Sequence, residues 1–352
     1  MKKLLVSLLA IAMLAVTLTG CTTAKTYKYG VGINIKVTGA SAVPAAGEVA
    51  AKDGNYAVNT DVVTVVLDKD NKVVSATWDV AQSSRLNFDV TGTLKVDLTK
   101  YSMKTKAQKG TEYGMTANCQ TGQICKEWNV QSKFFTDFLV GKTVDQVKAI
   151  EMVDGKAKDA AIKVGTTVTI SGFFPAFEKA VANAVEAKKV AKFGVGIDIK
   201  VTGASVVPAA GEVAAKDGNY AINTDVVTVL LDKNDKVISA FWDVAQTRGL
   251  NFDATGTLKV DLATYVMKTK VQKGAAYGMT ANCQTGQICK EWNVQSKFFT
   301  DFIVGKTVAQ VKAIEVVEGY AKDTAIKAGT TVRISSFFPA FDKAVANTVV
   351  IK

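Results

Sequence analysis

The chain has 352 residues, of which 48% are hydrophobic and 21% charged, and its formal net charge is +11. It contains no histidine, which excludes Ser-His-Asp and Cys-His catalysis, histidine-ligated haem and most zinc sites. The excess basic charge is spread along the chain; it suits solubility, or an anionic envelope polymer or phosphate-bearing ligand, and no basic motif points to nucleic acid.

Residues 1–21 read as an export signal to be set aside from the fold. Lys2 and Lys3 form a basic start, and Leu4 to Leu18 an apolar run. Leu18-Thr19-Gly20-Cys21 resembles a bacterial lipobox, in which the signal is removed before the cysteine and the thiol carries a diacylglycerol. Two or three acyl chains give lasting membrane attachment where one is marginal. The alternatives are an ordinary cleaved signal or a short anchor. No later segment reaches the ~20 apolar residues a span needs. The expected location is the extracytoplasmic face of the cell membrane, anchored through Cys21. Residues 22–28 form a short tether, which at ~3.5 Å per residue keeps the next domain within roughly 25 Å of the membrane.

Beyond the tether the sequence repeats. Tyr29-Gly-Val-Gly-Ile-Asn returns as Phe193-Gly-Val-Gly-Ile-Asp, Cys119 as Cys283 and Trp128 as Trp292, always at an offset of 164. Residues 29–188 and 193–352 differ at 32 of 160 aligned positions, and 189–192 link them. A unit of this size is expected to bury its own core.

In chain order, Tyr29 to Val37 alternates and predicts a strand. Residues 43–52 are loop-like, with Pro44 and Gly47. Asn55 to Leu67 and Lys72 to Val80 are β-branched runs around Asp68-Lys-Asp-Asn, which predicts a hairpin. Residues 86–98 predict a second hairpin with Gly92 in its turn. Lys126 to Val140 places Trp128, Phe134, Phe135, Phe138 and Leu139 at helical spacing, with Gly141 as C-cap. Thr143 and Gln146 form a capping box for a short helix to Ile150. Thr166 to Ile170 reads as a last strand, and Ser171 as the cap of a final helix, Phe173 to Ala187. The fold class expected is α+β: two near-identical tandem domains, each an antiparallel sheet with helices in its C-terminal half.

The cysteines come in pairs, Cys119 with Cys125 and Cys283 with Cys289. Two cysteines per exported domain most simply make one disulfide in each. A redox-active pair is the alternative, although the spacing is not CxxC and no βαβ pattern surrounds it.

A second constellation is Asp53-Gly-Asn-Tyr56, repeated as Asp217-Gly-Asn-Tyr220, together with the end of each unit. There Asp159-Ala-Ala-Ile-Lys-Val-Gly-Thr-Thr-Val-Thr leads into Phe-Phe-Pro-Ala-Phe-Glu-Lys-Ala-Val, and the second copy starts the same motif at Asp323. These elements resemble the FMN-binding domain family of exported and membrane-associated electron carriers. The resemblance implies FMN joined through its phosphate to a threonine by a separate flavin transferase. By position the acceptors would be Thr167 and Thr331, with Gly165 and Gly329 leaving room for the phosphate. Thr166 and Thr330 stand where the family has alanine, Val164 and Ala328 where it has Ser or Thr, and the Asp lies two residues further upstream. Attachment therefore falls on Thr167 and Thr331, on the neighbouring threonines, or nowhere. Thr93 and Thr257 look similar but sit in a mid-domain turn.

Tyr113, Met115 and Trp128 would either wall a flavin ring or fill the core, and Lys104 and Lys106 would either meet a phosphate or lie at the surface. No acid, base and nucleophile set is visible, so a carrier is expected rather than an enzyme. Its partners would be a membrane electron donor and an extracellular acceptor. The alternative is a cofactor-free envelope lipoprotein that binds a solute or an envelope polymer.

Overall fold

The computed structural model describes residues 26–41, 55–83, 96–97, 103–205, 219–247, 250–251, 259–262, 264–286 and 288–351. The signal segment with Cys21, the tether to residue 25, the loop 43–52, Asp53 and Asp217, most of the 86–98 hairpin, and Thr93 and Thr257 lie outside the described residues.

The first copy runs β1 (Tyr27–Ser41), β2 (Asn55–Leu67), β3 (Val73–Ser83), α1 (Lys106–Lys109), α2 (Trp128–Phe138) and α3 (Val144–Lys148). It continues with β4 (Met152–Val153), β5 (Lys156–Ala157), α4 (Ala160–Lys163), α5 (Phe173–Ala182) and β6 (Val185–Ala187). The second copy repeats this as β7 (Lys192–Ser205), β8 (Asn219–Leu231), β9 (Val237–Gln246), α6 (Lys270–Lys273), α7 (Trp292–Phe302) and α8 (Val308–Lys312). It ends with β10 (Val316–Val317), β11 (Tyr320–Ala321), α9 (Thr324–Lys327), α10 (Phe337–Ala346) and β12 (Val349–Val350). Each copy holds one four-stranded antiparallel sheet, in the orders β3-β2-β1-β6 and β12-β7-β8-β9. The class is α+β, as the patterning implied. Among the described residues no helix is long and apolar enough to cross a membrane.

Each sheet is covered on both faces, which is why β2 reads as an almost unbroken Val-rich run. Side chains alternate between faces along a strand. Val63, Val65 and Leu67 of β2 pack with Trp78 against the copy's own helices, through Trp128, Phe135, Phe173 and Phe177. Val58 and Val62 point the other way and join Val31, Ile33 and Ile35 of β1 in a cluster completed by Ile197, Ile199, Ile222 and Val226 of the other copy. The expectation that each unit buries its own core therefore holds for one face only. The second face is a core that both copies share. A smaller shared cluster gathers Tyr29, Val66, Phe193 and Leu230.

The Gly-Val-Gly of β1 is a packing device. A Cβ on Gly30 would lie 1.9 Å from the Ala180 carbonyl oxygen, and one on Gly32 would lie 1.9 Å from that of Ala176. Helix α5 presents Ala176 and Ala180, both fully buried, and so closes directly onto the strand. Gly194 and Gly196 do the same beneath Ala344 and Ala340 of α10.

The capping box at Thr143 forms with both of its hydrogen bonds, and Gly141 takes a φ of +83° just after α2. Three sequence expectations need correction. Thr166 to Ile170 is not a strand: Thr166 N–H bonds back to Ile162, and Ile170 N–H to Gly155. Ser171 does not cap α5, whose N-cap is Gly172 with no side-chain hydrogen bond. The last helix stops at Ala182 rather than Ala187, because the chain turns there to lay β6 beside Tyr27–Tyr29.

Beyond β6 the outer edge of β1 is covered by side chains. Asn183 Nδ2 donates to the Val31 carbonyl at 3.1 Å and Lys179 Nζ to that of Ile33 at 3.1 Å. Such covering blocks edge-to-edge pairing with another chain. The two copies also reach across to each other's edges. Gln272 Nε2 donates to the Ile33 carbonyl at 2.9 Å, and Gln108 Nε2 to that of Ile197 at 2.9 Å.

Candidate functional site

The cysteines pair as disulfides, Cys119–Cys125 and Cys283–Cys289. Each closes an exposed loop that leads into α2 or α7. Gly122 in the first loop has a φ of +86°, which explains a glycine there. Glu127, beside that loop, accepts the N–H groups of Thr116 at 3.0 Å and Met115 at 3.1 Å, and these bonds hold its carboxyl below the usual range.

The Gly-Thr-Thr segments follow α4 and α9. Gly165 is buried against Phe134: a Cβ there would lie 2.1 Å from the ring. Phe298 covers Gly329 in the same way. The glycine thus makes room for a ring rather than for a phosphate. Thr166 and Thr330 are each 2% exposed. Thr166 Oγ1 has no hydrogen-bond partner, while Thr330 Oγ1 accepts from Val332 N–H at 3.4 Å. Thr167 is half-buried, and its N–H and hydroxyl both donate to Gln131 Oε1, at 2.8 and 3.3 Å. Thr331 does the same to Gln295.

A phosphoester on Thr167 would need Gln131 to release the hydroxyl, and one on Thr166 would need the core to open. Of the two roles open to Trp128, it takes the core one: it is buried and packed edge-on against Trp78 with centroids 5.0 Å apart. The surroundings fit Thr167 and Thr331 as bare acceptors, but among the described residues neither lines a cleft or groove that would seat the ring.

A charged group missed in the sequence gathers at β2 and β3, with Asp61 on the face toward the copy's own helices and Asp79 on the face toward the other copy. Asp61 of β2 is buried and accepts the Trp78 indole N–H at 2.9 Å. Asp79 of β3 accepts the Thr105 hydroxyl at 2.6 Å and the N–H groups of Val80 and Ala107 at 2.7 and 3.0 Å. Lys106 lies between them, its ammonium 5.4 Å from the Tyr113 ring centroid and 5.4 Å from that of Trp128. Burial pushes both carboxyls up and the Lys106 ammonium down, while their opposite charges resist this. In the second copy burial pushes Asp225 and Asp243 up to about 6.

Lys106 is therefore neither a plain surface lysine nor one turned to a phosphate; Lys104 is exposed and paired with Glu112. The legible signal was an aspartate in the middle of two Val-rich strands, where a charge needs a buried partner. Asp79 fixes the first turn of α1, and that turn carries Gln108 across to the other copy. The cluster positions the clasp between copies.

Between the copies lies a cleft of about 720 Å³. The first copy contributes Tyr29, Val31, Asn183 and Val185; the second contributes Phe193, Phe241, Asp243 and Gln272. A third wall is the polar face of α7, with Asn293, Ser296, Lys297, Thr300 and Asp301 at helical spacing. Lys297 pairs with Asp301 at 2.6 Å. Asp243 is held by the Thr269 hydroxyl and by the N–H groups of Val244 and Val271. Asn293 Oδ1 is buried without a hydrogen-bond partner.

At the position of Phe241 the first copy has Thr77, whose hydroxyl lies 2.6 Å from that of Thr64. Each copy also carries a more open groove beside α3 or α8, of about 590 and 620 Å³. Neither Thr166 nor Thr167, nor their counterparts, lines the cleft or these grooves. Among the described residues no three His, Cys, Asp or Glu side chains are placed to hold a metal.

No family model matches the chain, and neither a curated protein nor a solved structure matches it.

Proposed function

We propose that the chain is an envelope lipoprotein that binds a small solute in the cleft between its two copies. The observation that carries this reading is the cleft itself. Its volume, about 720 Å³, lies in the range of small-molecule sites, and an apolar wall faced by a few polar groups is their usual chemistry. Asp243 is engaged by three donors of its own copy, which favours binding over acid–base catalysis. The test is a thermal-shift and calorimetric screen of small solutes against the full processed chain, repeated on Ser239→Trp. The indole would fill the cleft from its β9 wall. A solute that stabilises the native protein should lose its effect in the variant; a solute that acts equally on both would sink the reading.

A covalent flavin carrier is the second reading, favoured by the half-buried Thr167 and Thr331 at matching places in the two copies. It predicts a mass gain of two FMN units in protein isolated from its own host, with one unit lost in Thr167→Val and one in Thr331→Val. An unmodified polypeptide mass after lipid removal would overturn it. Under either reading Cys21 anchors the chain, and Cys21→Ser should release it from the membrane fraction.

A further inference from the structure

We infer that the cleft takes an uncharged aromatic heterocycle with an N–H or O–H donor on its edge, selected by Phe241 and Asn293; this rests on the cleft being the binding site. The charges in the walls already have partners. Lys297 and Asp301 pair with each other on the exposed side of the cleft, and Asp243 accepts from three donors of its own copy. An ionic ligand would lose hydration without gaining a partner, which is strongly unfavourable in a confined site. Tyr29 stays an uncharged phenol, since burial, and secondarily Tyr27, push its hydroxyl up to about 12.

The walls are also two-sided. Tyr29 and Phe193 meet edge to face with centroids 5.6 Å apart, and Phe241, the aromatic that the first copy lacks, lines the same cleft. The polar face of α7 lines it as well. A flat ring has apolar faces and a polar rim, and so matches both surfaces at once. The rim must include a donor. Asn293 stands in the wall with its side-chain oxygen unpartnered, and a buried acceptor without a donor is costly to leave so. The oxygen is covered in the free protein, so the carboxamide turns toward the cleft to meet an N–H on the ligand. Asn129, its counterpart, is likewise unpartnered, but Thr77 takes the place of Phe241 on that side.

The test uses the full processed chain with indole, 1-methylindole and indole-3-acetate as probes, read by titration calorimetry. Indole should bind about 10-fold more tightly than 1-methylindole, the span of one buried hydrogen bond, and indole-3-acetate should bind no better than indole. Asn293→Leu should abolish the difference between indole and 1-methylindole, while Asn129→Leu leaves it intact. Phe241→Thr, a residue the first copy already accommodates at this place, should weaken both by roughly 10-fold. The inference falls if the wild type shows no N–H preference, if the preference survives Asn293→Leu, or if the carboxylate binds best. If none of the three binds while another solute is lost in Ser239→Trp, this inference falls and the cleft stands as the site. If no solute responds to Ser239→Trp, both fall.

Discussion

The larger core that the copies share and the surfaces around the cleft have diverged to different degrees. Among the buried residues of the larger core, Val31, Ile33, Ile35, Val62, Ala81 and Met103 recur unchanged in the second copy, and only Val58 differs, as Ile222. The smaller shared cluster, which borders the cleft, differs at both of its pairs, Tyr29 with Phe193 and Val66 with Leu230. Around the cleft and the carboxylate clusters, Tyr29 becomes Phe193, Thr77 becomes Phe241, Ala107 becomes Val271 and Gly172 becomes Ser336. The larger core is filled from both copies at once, so a larger side chain there has to be accommodated by two sheets. A cleft bordered by unlike residues has no such constraint and can be built once rather than twice.

The sharpest way to break this contrast is to charge the shared core. Ile33→Asp buries an unpaired carboxylate between the sheets and should cost about 4 kcal/mol or more. Because both copies share that core, calorimetry should show the whole chain melting earlier in one transition. A second transition left at the native temperature would mean that the copies fold independently.

The next effect follows from the carboxylate clusters. Asp225 and Asp243 have folded-state values raised from 3.8 to about 6 by burial. For a raised carboxyl the folded state holds its proton more tightly than the unfolded one. Its contribution is fully present below pH 4 and is lost as pH rises through 6. Each should remove roughly 2–3 kcal/mol between those limits. The melting temperature should therefore fall from pH 4 to pH 7, and Asp225→Asn should remove one part of that fall and leave the parts due to Asp243, Asp61 and Asp79. An unchanged slope would show that Asp225 is not protonated in this window.

The smallest effect tests a difference between the copies directly. Ser336 donates to Asp225 Oδ1 at 2.9 Å, where the first copy has Gly172. Ser336→Gly makes the second copy resemble the first and should cost about 1 kcal/mol at pH 7 by denaturant titration. It should also raise the Asp225 midpoint further, since a bond that favours the charged form is gone. A midpoint that stays put in NMR titration would contradict this.

Much of the fold was readable because it is local. The β2–β3 hairpin, the Thr143 capping box and the disulfides depend on residues close in the chain, and the duplication needs only the chain compared with itself. The errors have a common cause in distant packing. Thr166 to Ile170 is β-branched enough to suggest a strand, but the strand beside β1 is supplied by Val185–Ala187 instead. The same closure ends α5 early, where an Ala-rich pattern invited a longer helix. Gly165 looked like a gap for a phosphate because Phe134, which fills that gap, lies 31 positions earlier. Asp61, Asp79 and Lys106 become a cluster only when α1 folds back onto β3. The cleft was the least legible feature, since its walls come from both copies.

The short linker has a consequence of its own. Ala191 is held on both sides, its N–H by the Leu231 carbonyl at 2.8 Å and its carbonyl by the Ile351 N–H at 2.9 Å. The second half is thus delivered to the first at a fixed ratio of one to one. Dilution cannot separate a pair that is a single molecule, whereas a twofold dimer of separate chains would come apart below its dissociation constant. Separate chains would also register every substitution twice. Joined end to end, each half can change alone, which is the freedom that Phe241 uses.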